Sequence, residues 1–118
     1  FNGAVEQATE AELAEAASEG DLTGLYNCPH TGVALAALKK LVQRGEVGAN
    51  DRIVVISTAH GLKFTSFKTR YHMSEYEDID CKYANPPVEV PATYDAVRDA
   101  LFRCLDARNA QFTKKQEN

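Results

Sequence analysis

The stretch Arg52-Ile53-Val54-Val55-Ile56-Ser57-Thr58-Ala59-His60-Gly61-Leu62-Lys63-Phe64 falls into two halves of opposite character. Ile53 to Ile56 is a continuous β-branched run with no polar face, the pattern of a strand buried on both faces of a parallel sheet. Ser57 to Gly61 is small and polar, and follows at what would be the strand's carboxyl end, where open α/β sheets place their ligands. The expected fold is α/β, with one buried parallel strand, flanking helices and a binding loop over Ser57 to Gly61.

Upstream, Gly48-Ala49-Asn50-Asp51 reads as a turn into that strand. Before it, Cys28-Pro29-His30-Thr31-Gly32 opens a helix predicted over residues 31–44, with Gly45 as its stop. Ala34, Ala37, Leu38 and Leu41 form its apolar stripe, and Lys39, Lys40, Gln43 and Arg44 its polar side. Leu22 to Tyr26 reads as a short extended lead-in. Nearer the start, Thr9 and Glu12 make a capping box for a helix running to about residue 19 and ended by Gly20. Leu13 is its only large apolar residue, so this helix is expected to pack weakly on the surface.

Downstream, Phe67 and Tyr71, four apart among Lys68 and Arg70, predict a short amphipathic helix over residues 64–73, lying across the strand's end. Glu75, Glu77, Asp78 and Asp80 mark a solvated loop. Pro86, Pro87 and Pro91 confine Val88-Glu89-Val90 to an edge segment, because proline lacks the N–H a central ladder requires. Thr93 caps a last helix with a core stripe of Val97, Ala100, Leu101, Cys104 and Leu105. Residues 1–108 thus form one segment, followed by a polar tail, residues 109–118, expected to be mobile.

With 13 basic and 17 acidic residues in 118, a formal charge of −4 and no dense basic cluster, the chain lacks the footprint of a nucleic-acid binder. No apolar run approaches the roughly 20 residues that span a bilayer, and the first residues carry no signal-peptide pattern, so a soluble chain is expected. Phe1 in place of Met is expected to mark a chain cut from a longer one. Cys28, Cys81 and Cys104, without any C-x-x-C, argue against a disulfide scaffold or structural zinc and for free thiols in a reducing compartment.

Several side chains could carry chemistry. The Thr58 hydroxyl either meets a ligand or ties the loop's backbone. His60 has no visible carboxylate or nucleophile partner and reads as structural or pocket-lining. Gly61 supplies a backbone conformation that a Cβ would obstruct, letting the loop approach a planar group. Thr31 stands among free N–H groups at a helix start, a geometry suited to an anion. Lys63 reads as a solvated lysine, and Cys28, His30, His60, His72 and Cys81 match no regular metal spacing.

Three blocks, Cys28-Pro29-His30-Thr31-Gly32-Val33-Ala34, Ser57-Thr58-Ala59-His60-Gly61-Leu62-Lys63-Phe64 and Ala84-Asn85-Pro86-Pro87-Val88-Glu89-Val90, resemble in order the C-terminal region of plant-type threonine synthase. The resemblance covers roughly residues 9–105, the last fifth or quarter of a family member. It implies a fold-type II pyridoxal-phosphate enzyme that converts O-phosphohomoserine and water into threonine and phosphate. It places Thr58 at the cofactor's pyridine nitrogen, with Ala59 and Gly61 beside the ring and Thr31 and His60 one layer behind. It also implies that the Schiff-base lysine and the Gly-rich phosphate cradle lie upstream of the segments present here, so that the 118 residues alone are not expected to bind cofactor or catalyse.

Two readings follow: part of the enzyme itself, or a detached, non-catalytic accessory subunit of a larger complex. The first implies a plastid interior, and the second allows a mitochondrial one. With one strand and two strand fragments, either reading expects another polypeptide segment or subunit to complete the sheet. Alone, the chain is expected to be loosely packed or prone to associate.

Overall fold

The computed structural model describes residues 3–116, with side chains described through Ala107 and at Asn109. Four α-helices follow in order: α1 (Glu10–Asp21), α2 (Pro29–Gln43), α3 (Thr65–His72), which is preceded by a 3-10 turn (Gly61–Phe64), and α4 (Tyr94–Gln116). Two compact units divide the chain, Phe1–Pro86 and Pro87–Asn118.

The expected α/β fold is not present. Among the described residues there is no strand, and the one β-type pairing is an isolated antiparallel bridge between Asn27 and His60. Ile53 to Ile56 is irregular, with Val54 90% and Ile56 76% exposed. The reason is physical: a ladder needs a second strand to exchange N–H and C=O bonds with, and these residues have none. β-Branched composition sets a preference but supplies no partner. Val88 to Val90 likewise joins no ladder.

The first unit is organised by α1 and α2. The Thr9–Glu12 capping box forms in both directions, the Glu12 N–H donating to the Thr9 hydroxyl and the Thr9 N–H to the Glu12 carboxylate. Contrary to the expectation of a weakly packed surface helix, α1 buries Leu13, Ala14, Ala16, Ala17 and Ser18. Its small side chains allow close approach: a Cβ on Gly32 of α2 would lie 2.3 Å from the Leu13 carbonyl oxygen and 2.9 Å from the Ala17 methyl. The alanines therefore serve as a close-contact surface. Lys39–Glu19 (2.6 Å) and Lys40–Glu12 (2.7 Å) bridge the two helices at the rim, where such pairs contribute little to stability.

Helix α3 brings Tyr71 onto Leu13 and Ala14, and all three are buried. Phe67, Tyr76, Ile79, Cys81 and Tyr83 pack around them, so the segment after α3 returns to the core with Tyr76 and Ile79 while Glu75, Glu77, Asp78 and Asp80 stay in solvent. The Tyr83 N–H donates to the Tyr71 hydroxyl at 3.3 Å and fastens that return.

In the second unit the Thr93 hydroxyl accepts the Ala96 N–H at 3.4 Å and starts α4. Of its expected core stripe Ala100 is buried, whereas Val97, Leu101, Cys104 and Leu105 are exposed. Among its described residues this unit has one helix, and a lone helix leaves most of an apolar stripe uncovered. The backbone is helical through Gln116, and the last two residues of the expected tail lie outside the described residues.

Candidate functional site

Helix α2 begins two residues before its predicted start. Pro29 takes the first position, where its missing N–H costs nothing, and Cys28, with φ −82° and ψ 162°, becomes the N-cap. Its Sγ accepts the Thr31 N–H at 3.5 Å, a sulfur where an oxygen usually stands. Around that sulfur the two sequence blocks meet. The Thr31 hydroxyl lies 3.3 Å from Cys28 Sγ and 3.3 Å from the Ser57 hydroxyl, and Thr58 Oγ1 lies 3.7 Å from the same sulfur. Cys28 and Thr31 are buried, while Ser57 and Thr58 are exposed residues whose hydroxyls reach in to that pair.

Burial raises the Cys28 thiol, but hydrogen bonds from the Thr31 hydroxyl, the Thr31 N–H, Thr58 and His30 overcome it and lower its pKa to about 6. Donors aimed at a sulfur stabilise the thiolate, as does a helix start.

The rest of the loop is held from the other side. The Gly61 N–H donates to the Tyr26 carbonyl at 2.8 Å, next to the Asn27–His60 bridge. A Cβ at Gly61 would stand 2.7 Å from the Tyr26 ring and 2.9 Å from the Asn27 carbonyl oxygen, so the obstruction expected there comes from this packing. His60 Nδ1 accepts the Leu62 N–H at 3.2 Å and caps the 3-10 turn, and its ring lies 5.7 Å from that of Tyr26. Ala59 is half-buried and, with Tyr26, Asn27, Ser57 and His60, lines an open cavity of about 340 Å³.

Beneath Tyr26 and Asn27 sits Lys68. It is 1% exposed, pairs with the Asp21 carboxylate and holds its ammonium 5.0 Å from the centre of the Tyr26 ring. The other Asp21 oxygen accepts the Asn27 N–H at 2.8 Å. A buried charge needs such partners, and these fix the backbone that grips Gly61.

Thr31 and Thr58 therefore belong to one cluster through Cys28, and Ala59, His60 and Gly61 adjoin it, whereas Lys63 lies apart in the 3-10 turn. Cys28 and Lys68 were not among the expected site residues. For Cys28 the signal was Pro29, because proline at the first helical position makes the preceding residue the cap. For Lys68 it was the three-residue spacing to Tyr71, which puts both on one helix face.

No family model matches the chain. Over 108 residues it is 56% identical to "Threonine synthase 2, chloroplastic" of Arabidopsis thaliana, covering 92% of the chain and 21% of the relative. A "Threonine synthase" of Methanosarcina acetivorans is 31% identical over 101 residues, 85% of the chain and 22% of the relative. One of Methanocaldococcus jannaschii is 37% identical over 62 residues. Relatives from a plant and two archaea share that name, and over the matched residues this chain belongs to the threonine synthase family. Within that class it matches the plant type. The chain spans about a fifth of the length of these first two relatives. Among the described residues no helix is long and apolar enough to cross a membrane.

Proposed function

We propose that this segment forms one wall of the active site of a plastid threonine synthase, an enzyme that makes threonine and phosphate from O-phosphohomoserine and water with pyridoxal phosphate. The observation that carries the reading is the exposed Thr58, its hydroxyl anchored on the Cys28 sulfur at the start of α2 and its chain neighbours Ser57 and Ala59 lining the open cavity. The donor set suits the cofactor's ring edge: Thr58 is a neutral hydroxyl, able to donate to a pyridine nitrogen without fixing it in the protonated form. When bound, the cofactor supplies the electron sink for carbanion chemistry.

The chain's own residues would hold and orient it. Thr58 would meet the ring nitrogen and Ala59 would allow close approach, with Gly61, packed against Tyr26 and Asn27, holding the loop beside the ring and Thr31 supporting Thr58 through Cys28. His60, its Nδ1 engaged by the Leu62 N–H, shapes the loop. Lys39, Lys40 and Lys68 are each paired with a carboxylate and Lys63 lies in the turn after the site's own loop, so a Schiff-base lysine is expected elsewhere in the enzyme. The exposed Ile53, Val54 and Ile56 would be covered by another segment of the polypeptide or a partner subunit. An accessory subunit without catalysis is the less favoured reading, since the relatives from all three organisms carry the enzyme's name.

The test is a chimaera in which the matching fifth of the Arabidopsis relative is replaced by this chain. It is expected to form threonine from O-phosphohomoserine. Thr58→Val should lower turnover by on the order of tenfold, and His60→Gln much less. A folded chimaera without activity, or one indifferent to Thr58→Val, would overturn the proposal.

A further inference from the structure

The geometry points to Cys28 as a positioning residue that fixes the direction of the Thr58 hydroxyl, a role resting on the reading of Thr58 given above. A threonine hydroxyl rotates freely unless something defines where its proton lies, and an exposed one has water as a competing partner. Among the described residues the Thr58 hydroxyl has one partner, Cys28 Sγ at 3.7 Å. That sulfur is itself fixed: Cys28 is buried, capped onto α2 by the Thr31 N–H, and met by the Thr31 hydroxyl at 3.3 Å. Thr31 is held in turn by the Ser57 hydroxyl at 3.3 Å.

The sulfur already accepts the Thr31 N–H. Either atom of the Cys28–Thr58 pair can donate: with no acceptor outside, Thr58 donates to the sulfur, and with one present Cys28 in its thiol form donates its S–H to Thr58 Oγ1, leaving the Thr58 proton to point outward at that acceptor. Without the sulfur, Thr58 Oγ1 loses its inner partner and the hydroxyl's orientation is no longer set. Cys28 thus acts on a ligand only through Thr58, while the large, polarisable sulfur spans a gap that an ordinary hydroxyl-to-hydroxyl bond would not.

The chimaera described above supplies two independent readouts. In its cofactor-free form, carrying cysteine labelled with carbon-13 at Cβ, the Cys28 resonance is followed against pH and identified by its loss in Cys28→Ser. Thr58→Val and Thr31→Val are each expected to move its midpoint upward, because each removes a donor to the sulfur. An unmoved midpoint in Thr58→Val overturns the contact and the proposal with it.

In the loaded enzyme, Cys28→Ala is expected to lower kcat about fivefold with KM unchanged, the scale of one hydrogen bond. Cys28→Ser, whose shorter side chain leaves the gap to Thr58 unbridged, should recover little of that loss, and Cys28→Ala combined with Thr58→Val should be no slower than Thr58→Val alone. Turnover sensitive to Thr58→Val but not to Cys28→Ala overturns the positioning role alone. Turnover indifferent to Thr58→Val, despite a moved midpoint, overturns both the reading of Thr58 and the role built on it.

Discussion

Helix α1 has mostly alanine for its apolar residues yet supplies much of the buried surface of its unit, whereas Ile53 to Ile56, β-branched throughout, stand mostly in solvent. The difference lies in what each region faces. Alanine against Gly32 lets two backbones approach to contact distance, so short side chains are fully used. Four large side chains with no strand beside them bury little, however apolar they are: Val54 stays 90% exposed. Burial belongs to a pair of surfaces, and a sequence displays one surface at a time.

The largest expected effect removes the charge beneath α1's end. Lys68→Ala leaves the Asp21 carboxylate without its ammonium and should destabilise the first unit by about 3–5 kcal/mol, read from the urea midpoint. If Lys68→Ala costs under about 1 kcal/mol, the ion pair is not the anchor described here. Next comes the close contact itself. Gly32→Ala places a methyl against the Leu13 carbonyl and should cost about 1–3 kcal/mol in the same assay, while Ala34→Gly, on the half-buried part of α2, is expected to cost only the helix-propensity difference of about 1 kcal/mol. Equal losses from the two would break the account of α1–α2 packing.

The smallest effect sharpens the contrast from the solvent side. Val54→Ser in this chain alone should change stability by no more than about 0.5 kcal/mol. In the chimaera, where another segment is proposed to cover Val54, the same substitution should cost on the order of 1–2 kcal/mol. Identical small effects in both settings would show that Val54 stays wet in the whole enzyme.

Local signals were readable where a few adjacent residues decide the outcome. The Thr9–Glu12 box, the start of α4 at Thr93 and the helical spacing of Phe67 and Tyr71 all rest on contacts within one or two turns. Ile53 to Ile56 was misread because a strand is defined by its neighbour, and pattern alone does not reveal whether a neighbour exists. Cys104 failed for the same reason, as an apolar stripe on α4 implies a facing surface, and among its described residues the unit has no second helix to supply one. The site was half legible: Thr31 and Thr58 could be named from their own motifs. That they share a sulfur could not, since the cluster joins residues as many as 30 positions apart and depends on which atom caps α2.

The Asp21 carboxylate, with one oxygen on the Asn27 N–H and the other on Lys68, has a consequence for motion. It ties the end of α1 and the middle of α3 to the backbone that holds Gly61. The loop bearing Thr58 is therefore not an independent flap. To lift it, Gly61 must release Tyr26, and Tyr26 lies within the same electrostatic knot. Opening should proceed as a single cooperative event, so that the amide hydrogens of Asn27 and Gly61, on different segments, exchange with solvent at matched free energies and lose protection together when Lys68 is removed.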